Sequence, residues 1–204
     1  MATGLCGIVL CGGESRRMGR DKALLRLGGG DGRPMVMAVA DRLRTVADPV
    51  LLASGRPGRL GASDYAEVAD DGGAGPLAGV AAGLRASPHE LAAVVAVDMP
   101  AISPAVLKLL SGLWTGEDAV VPLVCDLPEP LHAVYARRAL PRLRAALDRG
   151  SLAMHGVLAE LVVCWAGEDD WRAADAEGGF AANLNSPSDL AAWRSGQRRA
   201  GRQP

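Results

Sequence analysis

The stretch "LCGIVLCGGESRRMGRDK", Leu5 to Lys22, runs from an apolar segment into two adjacent glycines and then into a cluster of cations. Leu5 to Cys11 have the length and apolar continuity of a strand buried on both faces. Gly12 and Gly13 allow a tight turn behind it, with backbone N–H groups aimed at an anion. Arg16, Arg17, Arg20 and Lys22 add enough positive charge to hold a polyphosphate, and without an anion they would repel one another. Two familiar phosphate cradles are excluded by spacing. Lys22 is followed by Ala23 where a Walker loop needs Ser or Thr, and Gly12, Gly13 and Gly19 do not form Gly-x-Gly-x-x-Gly.

Working outward, further apolar runs of strand length occur at Val50 to Ala53, Ala92 to Val97 and Ala119 to Val124. Between them lie segments of helical spacing: Pro34 to Val46, "PLAGVAAGLRAS" from Pro76, and "SPAVLKLLSGLW" from Ser103. This βαβα alternation predicts an α/β fold with a parallel sheet covered on both faces, whose ligands sit at the carboxyl ends of the strands. Beyond it, "LHAVYARRALPRLRAALDRG" reads as a strand followed by an amphipathic helix. "LAELVVCWAG" reads as a helix end entering a strand, and "SPSDLAAWRSG" as a helix capped near Ser186 with Pro187 in its first turn. "EDDWRAADAEGG" is acidic and ends in glycines, which predicts a surface loop.

A chain of 204 residues, 49% of them hydrophobic, can bury one full core, and no linker divides it. One domain is expected over residues 1–193, followed by a basic tail, 194–204, whose four arginines and lack of aromatics predict a frayed, solvated end. The formal net charge of -1 gives no electrostatic case for nucleic-acid binding. The longest apolar runs fall far short of the roughly 20 residues that cross a bilayer, and "GIVLC" does not suit a secretory signal. A cytoplasmic protein is expected, its four scattered cysteines reduced and without zinc-ligand spacing. Only two lysines, Lys22 and Lys108, stand among the 22 basic residues, which makes Lys22 in the loop informative.

In "VVAVDMP", Asp98 follows a buried strand. A carboxylate there is costly to desolvate unless a cation meets it, and Mg2+ on phosphate oxygens is a suitable partner. Asp98 is not needed as a helix cap, since Ser103 before Pro104 caps better. In "ADDGGAGPLAG", Ala69 to Gly79, Asp70 or Asp71 offers the acceptor pair that fits the adjacent N–H donors of guanine.

Taken together, "LCGGESRRMGRDKALL", "DDGGAGPLAG", "VDMP", "PLHAVY" and "FAANLNSPSDL" resemble the molybdenum cofactor guanylyltransferase family, in the family's order, from about Gly7 to Trp193. The first motif is shared loosely by many nucleotidyltransferases. The Gly-Pro-Leu-Ala-Gly and the closing Asn-x-Asn-x-Pro are narrower. The resemblance implies a single-domain three-layer α/β/α nucleotidyltransferase fold with a Rossmann-like, mainly parallel sheet. It also implies transfer of GMP from GTP to the terminal phosphate of molybdenum-loaded molybdopterin, with Mg2+ as cofactor and pyrophosphate as product.

Carried over by residue, the resemblance gives Arg17, Lys22 and Asp98 the catalytic roles, with Asp98 holding the metal. Leu10, Cys11, Gly12, Gly13, Lys22, Asp70, Gly75, Pro76 and Leu77 would bind the nucleotide. Spacing to Gly75 favours Asp70 over Asp71, and Asn183 and Asn185 match the asparagines on the molybdopterin side. Three positions depart from the family: Cys11 stands for alanine, Glu129 for a polar amide, and Met154 for a basic residue. The implied partners are upstream cofactor-biosynthesis proteins and target molybdoenzymes or their chaperones. Rival readings are CMP transfer to molybdopterin, a sugar-1-phosphate nucleotidyltransferase, and a non-catalytic GTP sensor.

Overall fold

A computed structural model describes residues 4–12, 21–27, 32–61, 63–70 and 75–200 of the chain. In chain order the strands are β1 (Leu5–Leu10), β2 (Val50–Gly55), β3 (Ala66–Ala69), β4 (Leu91–Ala96), β5 (Ala119–Val124), β6 (Leu127–Pro128), β7 (His132–Ala136) and β8 (Val163–Ala166). The α-helices are α1 (Met35–Leu43), α2 (Gly75–Ala86), α3 (Pro104–Leu113), α4 (Leu140–Asp148), α5 (Met154–Leu158), α6 (Glu168–Trp171) and α7 (Pro187–Ala200). All belong to one sheet and the helices that cover it.

The sheet runs β3-β2-β1-β4-β7-β5-β6, with β8 beside β5. Strands β3, β2, β1 and β4 are mutually parallel, and β5 pairs β8 in parallel. β7 enters antiparallel between β4 and β5, so the sheet is mixed rather than wholly parallel. The hairpin from β5 into β6 reverses the chain, and β7 continues in that opposite direction, where a parallel neighbour would need a long crossover. The chain leaves β1 toward β2 on one side and returns as β4 on the other. That places a topological switch point, and a crevice, at the carboxyl ends of β1 and β4.

Both faces are buried, which is why β1 and β4 read as unbroken apolar runs. Ile8 and Leu10 face Leu77, Val80 and Leu84 of α2, while Val9 faces the side of Val36, Val39 and Leu43 of α1. Small residues permit the close approach: a Cβ on Gly83 would come within 2.6 Å of Ile8 Cδ1. α3 is capped by Ser103, whose Oγ accepts from Val106 N at 3.4 Å, with Pro104 in the first turn, as the sequence predicts.

One expectation is narrowed here. "EDDWRAADAEGG" lies at the surface as expected, but α6 forms within it and Trp171 is fully buried. Its indole Nε1 donates to Leu123 O at 3.0 Å, and its ring meets Phe180 edge-on at 5.1 Å, so one large apolar side chain outweighs the surrounding acidic residues. α7 carries helical backbone as far as Ala200, through residues of good helix propensity such as Arg and Ala. No helix among the described residues is long and apolar enough to cross a membrane.

Candidate active site

The crevice at the switch point is built first by backbone. Cys11 N donates to Ala53 O and Val97 N donates to Leu10 O, each at 3.0 Å, which ties the end of β1 to both neighbours. Gly12 leaves the sheet directly over the end of β2, where an added Cβ would touch Ala53 O and Ser54 O at 3.4 Å. The chain is described again at Asp21. Its Oδ1 accepts from Ala23 N at 3.0 Å and so caps the single 3-10 turn, Lys22–Leu24, that carries Lys22.

Lys22 Nζ lies 3.2 Å from Asp98 Oδ2 and donates to Asn185 Oδ1 at 2.9 Å. Asp98 sits in the turn just past β4, and its carbonyl accepts from Leu184 N at 2.7 Å. That bond docks the segment before α7 onto the strand end. Asp189 holds the same segment in shape, with its carboxylate accepting from Asn185 N and Ser186 N at 2.8 Å each. Ser186 Oγ accepts in turn from Asp189 N at 3.1 Å, a reciprocal cap on α7, and the bonds from Asn185 N and then Ser186 keep the Asp189 carboxyl below the ordinary carboxylate range.

The structure thus unites Lys22, Asp98 and Asn185. Asn183, two residues before Asn185, is exposed and donates to Ala181 O at 3.2 Å, outside this hydrogen-bonded group. Asp70 follows β3 with its carboxylate over the end of β2: a Cβ on Gly55, where φ is +78°, would be 3.2 Å from Asp70 Oδ2. Gly75 opens α2 at φ +80° with its α-carbon against Leu152, so that any Cβ would lie 2.7 Å from the Leu152 carbonyl. Pro76 follows in the first turn of that helix. Leu10, Cys11 and Leu77 have buried side chains, which leaves only their backbones to face a ligand, and Leu77 N already donates to Leu152 O. Gly13, Arg16, Arg17, Arg20 and Asp71 lie outside the described residues.

Glu129 approaches from the far side of the crevice. Burial pushes its carboxyl up, and the Asp98 charge acts in the same direction. Its Oε1 accepts from Leu131 N at 3.2 Å, and His155 is near enough to oppose the rise. Met154 is buried in the core, so the basic group that α5 presents is His155, one residue on. Neither His155 nor Arg59, whose guanidinium reaches the Cys11 carbonyl and the Asp21 carboxylate, was a sequence candidate. A single residue after a short apolar run carries no spacing signal.

A strand–glycine loop–lysine unit facing a strand-end aspartate across a switch point defines an α/β nucleotidyltransferase. The comparisons agree. A model of the MobA-like NTP transferase domain matches residues 7–164. A probable molybdenum cofactor guanylyltransferase from Opitutus terrae is 40% identical, over 92% of this chain and 94% of the relative. The molybdenum cofactor guanylyltransferase of Desulfosudis oleivorans is 35% identical, over 90% of this chain and 91% of its own. The crystal structure of molybdopterin-guanine dinucleotide biosynthesis protein A from Archaeoglobus fulgidus superposes with a TM-score of 0.84 at 28% identity, covering 95% of this chain and 99% of that one. This chain belongs to the MobA-like NTP transferase family, and it is an enzyme of nucleotidyl transfer.

Proposed function

We propose that the protein is a molybdenum cofactor guanylyltransferase, which moves GMP from GTP onto the terminal phosphate of molybdenum-loaded molybdopterin. The observation that carries this reading is the convergence of Lys22, Asp98 and Asn185 at the carboxyl ends of β1 and β4, in a chain of this family. A terminal phosphate oxygen of the pterin attacks the α-phosphorus of GTP, the bond from that phosphorus to the β-phosphate bridge breaks, and pyrophosphate leaves. A phosphate dianion needs no general base, so positioning and charge neutralisation supply the rate.

Lys22 offsets phosphate charge that would repel the nucleophile, and Arg17 is the sequence candidate for the leaving pyrophosphate. Asp70 accepts from the N–H edge of guanine, while Asn183 and Asn185 face the pterin side. Asn185, bonded to Lys22, joins the two halves of the crevice. The donor set suits Mg2+. Asp98 is a partly exposed carboxylate at a strand end, and Oδ1 makes no hydrogen bond among the described residues. Mg2+ takes one or two carboxylates plus phosphate oxygens, and Asp98 offers one such carboxylate. Bound there, Mg2+ would neutralise phosphate charge and orient the chain of phosphates. We place the enzyme in the cytoplasm, receiving its acceptor from upstream cofactor-biosynthesis proteins and passing product to molybdoenzymes or their chaperones.

The test is a nucleotide panel with Mg2+ and molybdenum-loaded molybdopterin, reading pyrophosphate release and the nucleotide freed from acid-hydrolysed product. GMP from GTP alone supports the reading. CMP would keep the fold and chemistry but overturn the role of Asp70, and no transfer with any nucleotide would overturn the reading.

A further inference from the structure

We propose that Arg59 is a positioning residue for Lys22, tying Cys11 at the exit from β1 and Asp21 before the Lys22 turn to the end of β2. The inference rests on the functional reading above. Each guanidinium nitrogen has its own acceptor. Nε donates to Ser54 O at 3.2 Å, Nη1 pairs with Asp21 Oδ2, and Nη2 donates to Cys11 O. Cys11 immediately precedes the first glycine of the loop, and Asp21 immediately precedes Lys22. The fork therefore joins the exit from β1 to the residue that caps the Lys22 turn.

Several features make this a fixed support rather than a surface ion pair. The Arg59 side chain is only 17% exposed, and its neighbour Leu60 is buried in the core beneath the turn. Ser54 Oγ donates to Arg56 O at 3.1 Å and Arg59 N to Arg56 O at 3.4 Å, which hold the turn itself. Parallel strands leave carbonyls unpaired at their carboxyl ends, and Arg59 satisfies one from β2 and one from just past β1. The Cys11 thiol is pushed up to about 12 by burial, so it stays neutral; Asp21 and Glu67 put negative charge beside it, and Arg59 is the cation that offsets them. Asp21 is the pivot. One of its oxygens binds Arg59 while the other caps the turn of Lys22, so a shift of the guanidinium reaches the lysine through one carboxylate.

Arginine is required by geometry, because lysine brings one nitrogen to three separated acceptors. The experiment measures steady-state pyrophosphate release in Arg59→Lys, Arg59→Ala, Asp21→Asn and the Arg59→Lys/Asp21→Asn pair, varying GTP and the molybdopterin acceptor separately, with Tm recorded for each. Expected is a fall of roughly ten- to a hundredfold in kcat/KM for GTP, on the scale that misplacement by about 1 Å produces. KM for the acceptor should stay within about twofold. R59K should resemble R59A, and the double variant should be no worse than R59K, since both changes cut one linkage. Should R59A fail to fold, D21N, which keeps its size and one hydrogen-bonding oxygen, carries the same test. An unchanged kcat/KM for GTP in folded R59K and D21N, additive losses in the pair, or equal rises in both KM values would overturn the role of Arg59. Parent protein that uses no GTP would instead overturn the functional reading, and this inference with it.

Discussion

Lys22 Nζ and Asp98 Oδ2 stand 3.2 Å apart although 76 residues separate them in the chain, and both side chains are largely withdrawn from solvent. The lysine comes from the turn after β1 and the aspartate from the turn after β4, neighbours in the sheet. Asn185 closes the group from a third segment. In the proposed reading, this partly shielded pair holds a cation and a metal ligand in register before any nucleotide arrives.

Removing the cation tests this directly. Lys22→Ala should lower turnover at saturating GTP by roughly 10²- to 10³-fold, the scale for deleting one charge-stabilising donor. Pyrophosphate release by the folded variant checks it, and turnover within a few-fold of the parent would remove Lys22 from the reaction.

Asp98→Asn keeps the shape and the bond to Lys22 while removing the carboxylate charge. Activity should vanish, or the Mg2+ concentration for half-activation should rise by about tenfold or more, because a neutral amide is a poor ligand for a hard cation. A Mg2+ titration that superposes on the parent's would exclude Asp98 from the metal site.

In the proposed reading Asp70 selects the base, and its carboxylate lies against Gly55. Asp70→Asn should weaken the preference for GTP in a competition with CTP and ATP. Gly55→Ala should do the same by displacing that carboxylate. It should also cost about 1 kcal/mol or more in denaturant unfolding, since φ is +78° there. Discrimination that survives both changes would point to Asp71 or to backbone groups.

His132 gives the protein a pH dependence away from the chemistry. Its Nε2 accepts from Ser103 N at 3.1 Å, its ring lies 4.4 Å from Phe180, and complete burial holds its pKa down at about 3. The unfolded chain takes up this proton near pH 6.5 and the folded one does not. Stability contributed by neutral His132 is therefore present above pH 6.5 and lost as pH falls from there toward 3. His132→Gln keeps an acceptor that does not titrate, so Tm should fall less between pH 6.5 and 5 than in the parent. Parallel Tm profiles would contradict the assignment.

Local pattern carried most of the architecture. Leu5–Leu10, Leu91–Ala96 and Ala119–Val124 are legible as strands because each is apolar throughout, a consequence of burial on both faces. Ser103 with Pro104, and Ser186 with Pro187, announce helix starts through the chemistry of the first turn. β3 was not legible: Ala66–Ala69 is four residues at the sheet edge with a partly exposed face, too short and too mixed for periodicity to register. Trp171 was hidden for the opposite reason, a single buried ring among acids that point to solvent.

Taken alone, the order of residues determined which chemistry the chain could carry. A glycine pair behind an apolar run, one lysine in an arginine-rich sequence, and an aspartate at a strand end are local choices, and their physical meaning is local. What the tertiary structure alone decided is which of these groups meet. Lys22, Asp98 and Asn185 converge because β1 and β4 are neighbours across the switch point and Leu184 N bonds to Asp98 O, while Asn183, two residues before Asn185, stays outside the group. Arg59 reaches Cys11 and Asp21 through a turn that no spacing rule foretells, since side-chain hydrogen bonds across a sheet depend on register and not on distance along the chain.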